Sequence, residues 1–414
     1  MRKPLFCIWD RAVGCGIITR MDFKPYEYSG VFFDSRKVVP GCLFAALPGA
    51  RVDGHCFVRQ AFGKGAKGIL VRKDMVHEFS GPESASLIPV DDVKESLAKT
   101  AQAYRRTLKA KVVGITGSAG KTTVKEFTAA FLRAKGKTHA TAGNYNNDLG
   151  LPITILECPP DADFLVLEMG TNHPGEISHL VDISRPDAGI ISSIGTAHIE
   201  FFKTQDAIAQ EKGTLFSSLP DDGFAVVGAN NDRFEMLKGM CRCRTIVSDG
   251  TSPFECPLVG DHNRWNMSLA WRCAEVLGVA EADALRALEG FELPGERWRI
   301  VDRSGVTFIS DCYNANPTSM MVALDTFAAV PCNGRRIAVL GDMFELGEAS
   351  ERLHADVKLK ALSMGFDKVV LVGENFGGVS FDEAKADVLS YVRPGDSVLL
   401  KASHSMALGR ILEP

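Results

Sequence analysis

Gly114-Ile115-Thr116-Gly117-Ser118-Ala119-Gly120-Lys121-Thr122-Thr123 continues an apolar run and leads into a helix-like stretch, residues 124–132. Closely spaced glycines let backbone N–H groups converge on an anion, and a helix start adds the positive end of its dipole. Lys121 can neutralise terminal phosphate charge, and the Thr122 hydroxyl can coordinate magnesium. Residues Gly117, Ser118, Ala119, Gly120, Lys121, Thr122 and Thr123 therefore read as a cradle for a nucleoside triphosphate with Mg2+. The general P-loop pattern places a glycine six residues before the lysine, where this chain has Ile115, so only the shorter G-x-x-G-K-T core is present. A simple packing turn is the plainer reading of such glycines, and the Lys-Thr-Thr that follows argues against it.

Short apolar strands and helical patterns alternate outward from this loop. Strands are predicted at 112–116, 164–167, 188–194 and 224–227, which is the syntax of a buried parallel sheet. The alternation resumes at 306–310, 337–340, 368–372 and 397–400, with a helix over 350–360. Upstream, 31–33 and 68–71 read as strands among turn-rich Pro-Gly pairs. The expected fold class is α/β in three domains: a small N-terminal α/β domain (1–108), a central P-loop parallel-sheet domain like an ATPase (109–299) and a Rossmann-like C-terminal α/β domain (300–414). Gly63-Lys64-Gly65-Ala66-Lys67-Gly68 satisfies the dinucleotide pattern, but it follows a helix-like segment and precedes a strand, the reverse of the order such a site needs.

Composition narrows the function classes. A chain of 414 residues with 45% hydrophobic and 24% charged residues is that of an ordinary globular enzyme, large enough for several cores. The net charge of -4 and the lack of a long basic run exclude a nucleic-acid-coating protein. Eleven cysteines occur without a C-x-x-C pair, and Cys241-Arg242-Cys243 is too close and isolated for zinc, so free buried thiols in a reducing cytoplasm are expected. Met1 to Trp9 begins like a secretion signal, but Asp10 and Arg11 interrupt it. No integral membrane segment is expected, since none approaches about 20 consecutive apolar residues.

Two further residues stand where strand ends bring them toward the loop. Glu168 closes the strand at 164–167 and is a plausible magnesium ligand, the alternative being an acid at a helix start. His198 follows the strand at 188–194, and on pattern alone a structural histidine is as good a reading as one that reaches the metal region.

Taken in order, the motifs resemble the Mur ligase family. They are Phe33-Asp34-Ser35-Arg36, Asp53-Gly54-His55, the 117–123 loop, Gly143-Asn144-Tyr145-Asn146-Asn147, Leu167-Glu168-Met169-Gly170 and Ala197-His198-Ile199-Glu200. Glu211-Lys212-Gly213, Gly260-Asp261-His262-Asn263, Asp311-Cys312-Tyr313-Asn314-Ala315-Asn316-Pro317 and Leu340-Gly341-Asp342-Met343-Phe344-Glu345-Leu346-Gly347 complete the series. The 313–317 signature favours a member that adds a dipeptide over one that adds a single amino acid. No Asp-Asn-Pro-Arg of the kind expected for diaminopimelate addition is present.

That resemblance implies a cytoplasmic, monomeric, ATP-dependent amide ligase with two substrates, UDP-N-acetylmuramoyl-tripeptide and D-alanyl-D-alanine. ATP would phosphorylate the acid that ends the tripeptide, and the dipeptide amine would attack the acyl phosphate. Lys121 would contact phosphates, Thr122 and Glu168 would hold one magnesium, and His198 a second. Lys212 would serve the metal as a carbamate, although an exposed helix lysine is the plainer reading, and Arg297 would approach the γ-phosphate. Asn263 would face adenine and Asp311 the ribose, while Ser35 and Arg36 would seat the UDP portion. Asn144, Asn147, Asn314, Asn316 and Asp342 are the remaining candidates for substrate contacts; for Asn144 and Asn147 a turn-forming role is nearly as good a reading.

The chain departs from the family pattern at three places. His404 stands in Lys401-Ala402-Ser403-His404 where arginine is commoner, Glu211 precedes Lys212, and Phe201-Phe202 follows Glu200. Other readings remain: a P-loop nucleotide switch, or a ligase of the same superfamily with another acceptor, such as a folylpolyglutamate synthase.

Overall fold

A computed structural model describes residues 27–49 and 52–413. The signal-like Met1 to Trp9 run, with Asp10 and Arg11, lies outside the described residues. The chain divides into two compact units, Met1–Val93 and Lys94–Pro414.

In the first unit four parallel strands, Val31–Phe32, Leu43–Ala45, Gly68–Arg72 and Leu87–Val90, pair in chain order. Phe44, Ile69 and Val71 face the helix Val58–Gly63 through Val58 and Ala61, all fully buried. The dinucleotide-like glycines at 63–68 form the turn from that helix into strand Gly68–Arg72, the order that excludes a Rossmann site.

The second unit holds two sheets. Six parallel strands make the first, in the order Arg244–Ser248, Phe224–Gly228, Ala188–Ile191, Lys111–Thr116, Phe164–Glu168, Thr138–Ala140. Helix Lys121–Arg133 covers it and packs on helix Asp261–Val276, with Phe127 stacked on Phe291 at 4.3 Å and Phe131 edge-on to Trp271 at 6.0 Å. Truncating a buried phenylalanine here is worth about 3–5 kcal/mol. Helix Val93–Arg105 is tied to this sheet by Tyr104 Oη to Cys158 O (2.7 Å) and Arg105 Nε to Ser184 O (2.7 Å).

The second sheet runs Arg299–Arg303, Val306–Ser310, Ser397–Lys401, Arg336–Gly341, Lys368–Val372, the first strand antiparallel and the others parallel. Along Arg336–Gly341, Ile337 and Val339 enter one core while Ala338 and Leu340 enter the other. Burial on both faces explains why the strand reads as an unbroken apolar run rather than an alternation.

The strand expected over 188–194 ends at Ile191. Ser192 and Ser193 leave the ladder because their hydroxyls bond Ala119 O at 2.5 and 3.0 Å, and Ser193 O accepts from Ser118 N. The helix after the loop begins at Lys121 rather than 124. The short internal strand at 43–45 and the edge strands at 87–90, 138–140, 244–248 and 299–303 carried no clear periodicity in the sequence. All nine described cysteines are free, with Cys42, Cys158, Cys273 and Cys312 buried, whereas Cys56 is exposed and the rest are partly exposed. No helix among the described residues is long and apolar enough to cross a membrane.

Candidate active site

The carboxyl ends of the central strands open into a cleft of about 880 Å³ in the second unit. Its walls include Ser118 to Thr123, Glu168, His198, Asn263 and Arg297, joined by Asp311, Tyr313, Asn314, Asn316 and Lys401. Open α/β sheets bind ligands at such strand ends.

The phosphate loop is shaped by two glycines and a staple. Gly117 has φ +152, and a Cβ there would lie 2.0 Å from Ser192 Oγ. Gly120 has φ +81 at the helix N-cap, where a Cβ would meet Asn266 Oδ1 at 2.5 Å. The staple comes from the 192–195 segment: Ser193 Oγ accepts from Ala119 N (3.0 Å), and Ser118 Oγ accepts from Gly195 N (2.9 Å). Lys121 Nζ donates to Gly117 O at 2.8 Å, folding back over the loop. Burial depresses its ammonium, Glu168 opposes that shift, and the Arg297 charge adds to it.

Thr122 is the hub. Its hydroxyl donates to Glu168 Oε2 (2.8 Å) and accepts from Arg297 Nη2 (3.0 Å). Glu168 is only 2% exposed, and its other oxygen accepts from Asn146 Nδ2 at 2.8 Å. Arg297 sits over the Tyr313 ring, its guanidinium carbon 3.5 Å from the centroid, a cation–π contact that holds the guanidinium in place. Behind Glu168, buried Lys125 donates to Thr141 O (2.8 Å) while Thr141 Oγ1 takes the Glu168 N–H (3.0 Å).

Lys212 is 1% exposed on helix Gln205–Ser217 rather than an exposed helix lysine. Burial and the Lys121 charge push its amine well below the usual lysine range, against the opposing pull of Glu211 and Glu176. Glu211 is occupied elsewhere: Oε2 accepts from Gly175 N and Oε1 from Ile177 N, both at 2.8 Å, with Thr171 Oγ1 at 3.5 Å. It thereby caps helix Glu176–Ser184, which has no side-chain cap from its own N-cap residue, Gly175.

His198 precedes helix Ile199–Phe202 with φ +60, and its Nδ1 is 2.5 Å from Glu345 Oε2. The imidazole holds the Glu345 carboxyl below the ordinary range against a partial burial that raises it. Asp311 accepts from Lys401 Nζ at 2.6 Å, and Lys401 is 2% exposed. Asn263 is buried on helix Asp261–Val276 and donates to Val259 O at 2.8 Å, leaving its oxygen to a weak contact from Asn266 at 3.4 Å. Burial lowers the neighbouring His262, with Asp311 opposing and Lys401 reinforcing.

Not every candidate comes to the cleft with free side-chain groups. Asn147 Oδ1 takes the Leu149 and Gly150 N–H groups at a helix start. Asn316 forms a capping box with Ser319 before helix Pro317–Ala329. Asn314 Oδ1 accepts from Ala315 N (2.8 Å), leaving its NH2, while Asn144 also lines the cleft. Asp342 is not among the cleft residues; its carboxylate accepts from Asn375 N and Nδ2 and from Phe376 N, each at 3.1 Å, and so shapes a turn. Ser35 and Arg36 belong to the first unit, where Ser35 is buried and Arg36 grips Asp34 with two donors, holding that carboxyl at about 2. His404 is exposed beside Tyr313, ring centroids 5.9 Å apart.

Sequence reasoning missed Asn146, Lys125, Lys401, Tyr313 and Glu345. Nothing distinguishes Asn146 from Asn144 and Asn147 in a turn of asparagines, and a lysine closing an apolar strand gives no sign that it will be buried against Asp311.

Among the described residues no group of three His, Cys, Asp or Glu side chains gathers to hold a metal. The donors present are a hydroxyl, a carboxylate and an imidazole, with room beside a phosphate loop. That set suits magnesium, which keeps waters and takes phosphate oxygens alongside one or two protein ligands.

Comparison with known proteins agrees with this arrangement along the chain. Residues 27–105 match the family model described as "Mur ligase family, catalytic domain", 115–248 "Mur ligase middle domain" and 296–404 "Mur ligase, glutamate ligase domain". The UDP-N-acetylmuramoyl-tripeptide--D-alanyl-D-alanine ligase of Bacillus subtilis (strain 168) is 32% identical, across 96% of this chain and 95% of that one. A crystal structure of MurF from Acinetobacter baumannii superposes with a TM-score of 0.82 at 28% identity, covering 92% of each chain. MurF ligase from Thermotoga maritima in complex with ADP gives 0.76 at 26% identity, covering 94% of this chain and 97% of that one. With similarity running through all three sheets at this level, the chain belongs to the Mur ligase family.

Proposed function

We propose that this protein joins D-alanyl-D-alanine to UDP-N-acetylmuramoyl-tripeptide, with ATP cleaved to ADP and phosphate, in the cytoplasmic synthesis of peptidoglycan precursors. The observation that carries the reading is the Thr122 hub. A phosphate-loop hydroxyl, a buried strand-end carboxylate and an arginine seated over the Tyr313 of the dipeptide-type signature meet at 2.8 and 3.0 Å. The strong similarity to curated ligases of that name supports the choice of substrates.

The chemistry follows from charge. A carboxylate resists attack because the attacking pair would add to an anion, and a phosphoryl group turns one oxygen into a leaving group. Bringing the γ-phosphate to the tripeptide acid sets two anions together, so cationic groups must crowd the line of transfer. Lys121 and Arg297 supply fixed positive charge there, and the start of helix Lys121–Arg133 adds its dipole. Two magnesium ions, one held by Thr122 and Glu168 and a second by His198, with Lys212 serving the metal as its carbamate, would offset the remaining repulsion. A carbamate forms only from a neutral amine, and the burial that depresses Lys212 supplies that form. Asn263 would read the adenine edge, Asp311 the ribose, and Asn144 and Asn314 the acceptor side. Ser35 and Arg36 would seat the UDP group. The domains would run 1–108, 109–299 and 300–414, in a monomer.

The test is phosphate release from ATP with UDP-N-acetylmuramoyl-tripeptide, with and without D-alanyl-D-alanine, followed by mass analysis. Dependence on both co-substrates and a pentapeptide product support the reading. Steady hydrolysis that ignores both would favour a nucleotide switch.

A further inference from the structure

The contact between His198 and Glu345 joins the loops of the two sheets in the second unit. His198 lies past strand Ala188–Ile191 of the central sheet, whereas Glu345 follows strand Arg336–Gly341 of the other. Both have left-handed backbones, φ +60 and +62, which non-glycine residues hold only where their surroundings demand it. Those surroundings are interlocked. A Cβ on Gly347 would meet Glu200 Cγ at 2.9 Å, and Ile199 packs against the core beneath the second sheet.

We propose that Glu345 is the positioning residue for His198. Its carboxylate sits 2.5 Å from Nδ1, close enough to take the proton of that nitrogen and so leave Nε2 as the free lone pair of a residue that lines the cleft. The two atoms are close without the alignment of a full hydrogen bond, so a small turn of either side chain completes it. The inference rests on the proposed function in taking His198 as a metal ligand. It adds that the second sheet, through the 342–347 loop, sets the orientation of a ligand on the first. Carboxylates behind metal-binding histidines commonly act this way, and their loss typically costs 10- to 100-fold in metal affinity or activity.

The experiment uses the full chain with ADP, and Mn2+ as the probe, read by electron paramagnetic resonance. Glu345→Ala should weaken Mn2+ binding roughly 10-fold or more while ADP binding without metal stays at the wild-type level. Glu345→Gln, whose amide oxygen can still accept from Nδ1, should recover part of the loss. In a His198→Ala background the same change at 345 should cost little further. Wild-type Mn2+ affinity in Glu345→Ala, or an equal loss with His198 absent, would overturn the assignment. Product analysis of the wild type tests the ligase reading separately, so the two can fail independently.

Discussion

Glu211 stands directly before the buried Lys212, and its geometry makes the consequence of losing it calculable. Each carboxylate oxygen accepts one backbone N–H at 2.8 Å, from Gly175 and from Ile177, at the start of helix Glu176–Ser184. A hydrogen bond to a charged group contributes about 1.5–3 kcal/mol, and a buried donor left without an acceptor costs on that order. Glu211→Ala strands both N–H groups and should destabilise the second unit by about 3–5 kcal/mol, the Thr171 contact at 3.5 Å adding little. Glu211→Gln is the sharper probe. One N–H keeps an amide oxygen, but the other now faces an NH2, two donors opposed, so about 2 kcal/mol should still be lost. Urea denaturation of wild type and both variants, followed by tryptophan fluorescence, measures the order. A Gln variant as stable as wild type, or an Ala variant within about 0.5 kcal/mol of it, would refute the capping argument.

Gly117→Ala should abolish nucleotide binding while leaving the fold intact, because the new Cβ would sit 2.0 Å from Ser192 Oγ and push the loop off its staple; calorimetric titration with ADP checks it, and unchanged affinity would contradict the geometry. Lys212→Met should inactivate the enzyme yet stabilise it at neutral pH. The sign follows from linkage: the folded-state pKa is depressed, so the unfolded chain binds the extra proton, and stability rises with pH up to the ordinary lysine value of about 10.4. The advantage of Lys212→Met over carbon-dioxide-free wild type should therefore shrink as pH climbs toward that value, and a gap that widened would show that the lysine is not buried neutral.

The parallel sheets were legible because burial on both faces leaves an unmistakable mark, as in Ile337 to Leu340, where alternate residues enter opposite cores. The phosphate loop was legible because glycine is forced wherever a Cβ would strike Ser192 or Asn266. What escaped was whatever depends on which partner a polar residue finds. Asn146, Asn147 and Asn316 look alike in sequence. One orients Glu168 and the other two cap helices, and only the folded chain assigns the work. Asp342 shows the same limit from the other side: a carboxylate in a strong signature, turned to the 375–376 backbone instead of the cleft.

Three cleft residues, Thr122, His198 and His262, share a feature that bears on how the reaction is gated. Thr122 carries one proton and two lone pairs; the proton goes to Glu168, one lone pair takes Arg297, and one remains for a cation. His198 is met by Glu345, and the cleft histidine His262 by the charges of Asp311 and Lys401. In each case a group on a helix or loop beside the central sheet is touched or tuned by one from the segment beginning at 296. A neutral hydroxyl is a weaker partner for a guanidinium than a phosphate, so nucleotide arrival is expected to draw Arg297 off Thr122 while the Tyr313 ring keeps hold of it. The central sheet alone would keep Glu168 oriented by Asn146 and Thr122 but would leave Thr122 without Arg297 and His198 without Glu345, so the C-terminal sheet supplies the remaining partners of the site.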